Sequence, residues 1–141
     1  MLPKPLHSLM SALSPYANLI VRVLVGAIML AHGLQKFGNP AMVKGMVASL
    51  GFPAPEVFAW VLILVEAVGG ALLILGLLTR YAALSIMIAM LVAVFGVHLK
   101  NGFIGQGGYE YPLLIAAVCL RYFVKGGGKL SLDKAFFKDM M

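Results

Sequence analysis

Ionisable side chains interrupt the long apolar segments of this sequence, and their types and positions are the first sign of chemistry. An ionisable group in hydrocarbon must be paired, protonated or in contact with water, so such residues are candidate functional groups. Imidazole and carboxylate groups can exchange protons, whereas lysine and arginine can hold a polar headgroup. The candidate ligand-binding or proton-exchanging residues are Arg22, His32, Lys36, Glu66, His98 and Glu110.

Helical periodicity predicts which side of each segment faces other helices. Residues seven apart share one helix face, so one stripe of the first segment is predicted to pack inward. That stripe consists of Arg22, Gly26, Met29, Gly33 and Lys36. Glu66 and Gly70 are four residues apart in the second segment, and glycine lets neighbouring backbones approach closely. A similar small-residue face is predicted in the third segment, formed by Ser85, Ala89, Ala93 and Gly96.

Each candidate residue also has a structural interpretation. Arg22 could extend to the lipid headgroups or pair with Glu66 as a clamp. Lys36 could anchor the end of a span, and His98 and Glu110 flank a loop where solvated positions are common. Glu66 is the strongest functional candidate, because a carboxylate in the middle of a span must be paired or protonated.

Several other kinds of site are excluded or disfavoured by the motifs present. The sequence contains no nucleophile elbow, phosphate loop or His-x-x-x-His pair, so we predict no metal site. Cys119 is the single cysteine, which excludes an intrachain disulfide and a Cys-x-x-Cys redox pair. His32 and His98 lie on different segments at similar depth and could ligate a haem iron, which is a weaker alternative than a quinone.

The low content of charged residues indicates which solvent surrounds the chain. Of its 141 residues 62% are hydrophobic and 11% are charged, whereas a soluble domain carries roughly a quarter charged residues. A lipid bilayer is therefore the predicted surroundings. The net charge of +6 comes from basic residues at segment ends and in the tail, which suits anionic headgroups and argues against a nucleic-acid partner.

The order of apolar segments and helix breakers predicts an all-α integral membrane four-helix bundle with a short interfacial helix between spans 1 and 2. The spans are predicted at about 15–36, 56–78, 81–98 and 109–124. Asn39 and Pro40 are typical of an N-cap and first helical position, so the short helix is predicted at about 40–50. The bundle occupies residues 15–125, between an N-terminal segment 1–14 and a C-terminal tail 126–141.

Basic residues are distributed unequally between the two sides of this arrangement. One side carries Lys4, Arg80, Arg121, Lys125, Lys129, Lys134 and Lys138, whereas the other carries Lys36, Lys44 and Lys100. Loops rich in lysine and arginine remain in the cytoplasm, so both termini are predicted to be cytoplasmic. The candidate residues other than Arg22 then lie in the centre or the outer half of the bilayer.

Ordered motifs over most of the chain resemble the DoxX family of small bacterial membrane proteins. The motifs are Arg22 with residues 31–37 (AHGLQKF), 66–70 (EAVGG) with 75–80 (LGLLTR), 101–103 (NGF) with 108–111 (GYEY), and 126–133 (GGGKLSLD). The resemblance covers about residues 18–133 and implies a four-helix bundle in the bacterial cytoplasmic (inner) membrane. It also implies a redox setting, because members are associated with thiosulfate:quinone oxidation and with oxidative-stress complexes that contain superoxide dismutase and a sulfurtransferase. Related bundles act as membrane chaperones or cargo receptors.

Together these features lead to one main hypothesis and two alternatives. The main hypothesis is a redox-associated membrane subunit, accessory to an oxidoreductase, that binds a quinone-like or small lipid ligand in a polar pocket in the outer half of the bundle. Arg22, His32, Lys36 and Glu66 would form that pocket, with His98 and Glu110 beside it. The first alternative is a membrane scaffold that docks a partner's transmembrane helix; the second is a small-solute transporter, which the missing inverted repeat disfavours. Membrane or redox protein partners and a homo-oligomer are compatible with either.

Overall fold

The protein is built from α-helices, and the computed structural model describes residues 3–137. The helices are α1 (Lys4–Phe37), α2 (Pro40–Ser49), α3 (Pro55–Leu75), α4 (Thr79–Val92), α5 (Glu110–Lys125) and α6 (Leu132–Phe136). A π-helical segment, Ala93–His98, and a 3-10 turn, Leu99–Asn101, continue α4. The described residues contain no strand, so the all-α prediction is confirmed. Lys138, one of the predicted cytoplasmic lysines, lies outside the described residues.

Three helical stretches are long and apolar enough to cross a membrane: Lys4–Phe37, Pro55–Leu75 and Thr79–Asn101. The prediction of a helical membrane bundle is therefore confirmed. Helix α5 coincides with the predicted span 109–124, but its 16 residues cover about 24 Å, which is less than the hydrocarbon thickness of about 30 Å. The fourth crossing stays a prediction.

Close contact between glycines brings α1 and α3 together along their length. A β-carbon built on Gly26 would lie 2.7 Å from the carbonyl oxygen of Gly70, and one built on Gly33 would lie 2.6 Å from the α-carbon of Ala67. Neither position has room for a methyl group, so glycine is required for this antiparallel approach. The predicted stripe of α1 is largely buried, as are Glu66 and Gly70 on α3. Helix α4 then packs on α3, and α5 packs on α4.

The two ends of the bundle differ in structure. At one end lie the short α3–α4 turn and residues 126–137; we call this the tail end. At the opposite end lie α2 and the segment 102–109; we call this the loop end. Helix α1 begins at Lys4, so most of the segment predicted to precede the first span is helical and continuous with it. Its 34 residues extend about 51 Å, and residues 4–14 are exposed beyond the tail end.

Helix α2 continues the bundle where α1 ends. The Asn39 side chain accepts a hydrogen bond from the Met42 N–H at 3.2 Å, which confirms the predicted N-cap. Val43 and Val47 then pack against Ala59 and Ile63 in the first half of α3. Helix α2 thus covers the part of α3 that α1 does not reach.

The buried face of α4 differs from the predicted small-residue face. Ser85 and Gly96 are exposed. The helix instead buries Thr79, Ala82, Ala83, Ile86 and Met90. A β-carbon on Gly69 would lie 3.2 Å from the side chain of Ile86, so the missing side chain is on α3 and a large aliphatic group on α4 occupies the space. The prediction was wrong because it assigned the small residues of this contact to the wrong helix.

Candidate functional site

A cavity of about 560 Å³ lies between the helices in the loop-end half of the bundle. This volume falls within the range of small-molecule sites. Most of its walls are apolar, with side chains from all five longer helices, among them Met29, Val47, Phe58, Val65 and Met90. Its polar lining groups are His32, Lys36, Glu66, Ser85, His98, Glu110 and Tyr111. Five of the six predicted site residues therefore line one cavity.

A buried ion pair forms the most polar part of the cavity wall. Lys36 on α1 donates from Nζ to Oε2 of Glu66 on α3, at 2.5 Å. The Glu66 side chain is 3% exposed and that of Lys36 is 20% exposed. The carboxylate therefore has little solvent of its own and depends on the ammonium for stabilisation.

The depth of this ion pair differs from the position predicted for Lys36. At a rise of about 1.5 Å per residue, Glu66 lies about 16 Å along α3 from Pro55 and about 14 Å from Leu75. Lys36 ends α1, but α1 ends beside the middle of α3 because α2 covers the remainder. The headgroup-anchoring interpretation of Lys36 was therefore wrong, since its ammonium lies halfway along a membrane-spanning helix.

His32 and Tyr111 lie where α1 meets α5 at the side of the cavity. The Tyr111 hydroxyl is 3.5 Å from His32 Nε2, at the outer limit of a hydrogen bond, and the two ring centres are 6.0 Å apart. Both residues line the cavity and both also keep exposed surface. They therefore form the boundary between the cavity and the lipid-facing surface.

His98 lies at the end of the π-helical segment that continues α4. Its Nδ1 is 2.8 Å from the Gly107 carbonyl oxygen, which also accepts from the Asn101 amide at 2.8 Å. These two bonds attach the glycine-rich loop to α4 and orient the imidazole. Short π-helical turns occur often at functional sites because they redirect side chains, but the sequence pattern did not predict this one.

Glu110 begins α5 at the loop end of the cavity. Its Oε2 is buried and has no hydrogen-bond partner among the described residues. A β-carbon at Gly108 would clash with that same oxygen, so glycine is required beside the carboxylate. Such an unpaired buried acceptor is costly and requires an explanation.

Arg22 is the predicted site residue that does not belong to the cavity. Its Nη1 donates to the Gly127 carbonyl oxygen at 2.5 Å and its Nη2 to the Leu130 carbonyl oxygen at 2.8 Å. The side chain is 1% exposed and lies at the tail end. The expected clamp with Glu66 does not form, because fourteen residues of helix separate Arg22 from Lys36, which pairs with Glu66 instead. The assignment of Arg22 to the pocket was therefore wrong.

Asp133 is a buried ionised group that the sequence analysis missed. Its carboxylate accepts from the N–H groups of Leu78 and Thr79, at 2.6 and 2.9 Å, and so caps α4 from the C-terminal tail. The residue is 4% exposed. The repeated glycines and Ser131 before it were a signal of a tight docked segment, but its partner lies 54 residues earlier in the chain.

Metal ligation has no support in the described part of the chain. No group of three or more histidine, cysteine, aspartate or glutamate residues within residues 3–137 is arranged to hold a metal ion. A haem between His32 and His98 stays a prediction without further support. The cavity can instead hold an amphiphilic molecule, with an ion pair, two imidazoles and a carboxylate available to its polar groups.

Comparison with known proteins places this architecture among membrane proteins of one family. The DoxX family model matches residues 17–99. A Bacillus subtilis (strain 168) protein named "Putative oxidoreductase CatD" is 32% identical over 121 residues, which covers 86% of this chain and 87% of the relative. A Mycobacterium tuberculosis protein named "Uncharacterized membrane protein Rv3486" is 33% identical over 150 residues, covering 96% of this chain and 88% of the relative.

No solved structure is significantly similar to this chain. The family match nevertheless covers more than half of the sequence, including Arg22, His32, Lys36, Glu66 and His98. Two relatives agree with it at more than 30% identity over most of their length. The chain therefore belongs to the DoxX family.

Proposed function

We propose that this protein is a redox-associated membrane subunit that binds a quinone-like molecule or another small polar-headed lipid in the loop-end cavity. The observation that carries the proposal is the buried Lys36–Glu66 pair in the wall of a largely apolar cavity of about 560 Å³. Apolar walls suit a hydrocarbon tail or ring, and the ion pair offers donors and acceptors to a polar headgroup. The similarity to a relative named as an oxidoreductase supports the redox part.

The surroundings of the cavity support entry of the ligand from the lipid. His32 and Tyr111 line the cavity and keep exposed surface between α1 and α5. Their contact at 3.5 Å is weak, so separating the two rings costs little. A ligand dissolved in the bilayer would then reach Lys36 and Glu66 without crossing water.

The distribution of basic residues supports an orientation for this subunit. The tail end carries Arg80, Arg121, Lys125, Lys129 and Lys134, whereas the loop end carries Lys44 and Lys100. By the positive-inside rule, the tail end with both termini faces the cytoplasm of a bacterial inner membrane and the cavity lies toward the outer side. Thiol labelling of single cysteines placed at Gln106 and at Lys129 tests this orientation in intact cells.

Mass spectrometry of small molecules extracted from natively purified protein tests the ligand. Wild type is expected to retain about one quinone or small lipid per chain, and Glu66→Gln is expected to lose it because the ion pair is broken. Glu56→Gln is the matched control, since Glu56 pairs with Lys44 at 3.0 Å on the exposed surface. Bulk phospholipid alone in every sample would contradict the proposal.

A membrane scaffold is the second candidate, supported by a separate observation. An apolar groove of about 460 Å³ lies on the lipid-facing side of α4, bordered by Leu50, Phe52, Ile88, Leu91, Val92, Phe95 and Gly96. Gly96 on its floor would permit close approach of another helix. Purification in a gentle detergent with one stoichiometric protein partner, and with no retained small molecule, would favour this function.

A further inference from the structure

The unpaired carboxylate oxygen of Glu110 indicates what the cavity lacks. Glu110 Oε2 is shielded from solvent and has no partner, while the backbone N–H of the same residue already donates to the Phe103 carbonyl at 3.1 Å. An ionised carboxylate can only accept hydrogen bonds. Because Glu110 lines the cavity, a donor brought by the ligand would satisfy this oxygen.

The imidazole of His98 offers a second acceptor at the same end of the cavity. Its Nδ1 faces the Gly107 carbonyl oxygen at 2.8 Å, and a carbonyl oxygen can only accept, so Nδ1 carries a proton. In the neutral ring Nε2 is then an acceptor. The loop end of the cavity therefore presents two acceptors, whereas the ammonium of Lys36 supplies donors near its centre.

We infer that the cavity selects ligands that carry a hydrogen-bond donor on an aromatic ring, namely a phenol or hydroquinone with an apolar substituent, over counterparts that can only accept. The inference rests on the proposed function, because it concerns the ligand of the same cavity. A ring hydroxyl donates to Glu110 or His98 at the loop end and can accept from the Lys36 ammonium elsewhere. A quinone carbonyl or an ether can accept from Lys36 but leaves the Glu110 oxygen unpaired.

A pair of redox-inert ligands isolates this donor. We would measure binding of 4-octylphenol and of its methyl ether to wild-type protein in phosphatidylcholine nanodiscs by calorimetry, with empty nanodiscs subtracted. The two ligands share their apolar body and differ in one hydroxyl hydrogen. The phenol is expected to bind about 10- to 100-fold more tightly, since leaving a buried acceptor unpaired is costly.

Two variants locate the source of the preference. Glu110→Gln retains the size of the side chain and adds donors, so the advantage of the phenol is expected to fall below about threefold. Glu56→Gln removes an exposed carboxylate outside the cavity and is expected to keep the full preference. A preference that also disappears in Glu56→Gln would overturn the assignment to the cavity.

The possible outcomes separate this inference from the proposed function. Equal binding of phenol and ether by wild type overturns the donor preference but leaves the cavity a binding site. Absence of binding by both ligands, together with no retained small molecule after purification, overturns the proposed function itself. The wild-type comparison decides the inference even where Glu110→Gln does not fold.

Discussion

The tail end and the loop end of this bundle both bury ionised side chains, but they satisfy them differently. At the tail end, Arg22 donates to two backbone carbonyls and Asp133 accepts from two backbone N–H groups, all within one chain. At the loop end, Glu66 pairs with Lys36 and Glu110 has an unpaired oxygen, and both carboxylates border a cavity. A buried charge in a membrane protein therefore indicates a ligand only where space adjoins it.

The largest effect expected from this comparison is on Arg22. Arg22→Met leaves the Gly127 and Leu130 carbonyls without these donors and detaches the tail, so we expect a loss of about 3–5 kcal/mol in the free energy of unfolding. Arg80→Met is the matched control, because Arg80 also donates to two backbone carbonyls but is exposed. Unfolding in mixed micelles measures both. Equal losses in the two variants would remove the distinction drawn for the tail end.

Forcing α1 away from α3 tests the loop end from a different direction. Gly33→Ala places a methyl group 2.6 Å from the Ala67 α-carbon, next to Glu66, so we expect a loss of about 1–3 kcal/mol together with weaker ligand binding. Gly45→Ala in α2 is the control, since no atom lies within 4 Å of the added carbon. Unchanged stability of Gly33→Ala would contradict the close approach of the two helices.

A double-mutant cycle on the ion pair measures its coupling directly. The single variants Lys36→Met and Glu66→Gln each leave one polar group without its partner, whereas the double variant removes both. We expect a coupling of about 1–3 kcal/mol in the free energy of unfolding. The exposed pair Lys44–Glu56, treated in the same way, is expected to show less than about 1 kcal/mol. A coupling of zero at Lys36–Glu66 would mean that the pair contributes nothing to folding.

The smallest of these effects is expected at the cap of α4. Asp133→Asn retains the shape of the side chain but loses the charge that faces the first N–H groups of α4, so we expect a loss of about 1–2 kcal/mol. Lys134→Gln, one residue later and exposed, serves as the control. Ligand retention is expected to remain unchanged in both variants. Loss of the ligand in Asp133→Asn would show that the two ends are not independent.

Local patterns in the sequence predicted most of the elements that surround the cavity. Asn39 and Pro40 indicated the start of α2, and the spacing of Arg22, Met29 and Gly33 indicated the buried face of α1. These features depend on residues within a few turns of one another, so a single sequence contains them. The grouping of His32, Lys36, Glu66, His98 and Glu110 around one cavity was also expected from their depth, while their role in binding stays a prediction.

The features that sequence reasoning missed depend on partners far apart in the chain. The depth of Lys36 follows from α3 extending beyond the end of α1, which no pattern within α1 can show. Asp133 is buried because residues 126–133 fold back onto the α3–α4 turn, although the segment is polar enough to be taken for a solvated tail. The face of α4 depends on Gly69 of another helix. Long-range packing decided each of these cases.

The remote cap of α4 has a consequence for biosynthesis. Leu78 adopts a left-handed backbone conformation (φ +48°), and the N–H groups of Leu78 and Thr79 bond to the side chain of Asp133. Ribosomes deliver the chain N-terminus first, so α4 leaves the tunnel roughly 3–11 s before its cap at the usual rate of about 5–20 residues per second. The turn between α3 and α4 thus enters the membrane unfinished, and the last residues to be synthesised complete it.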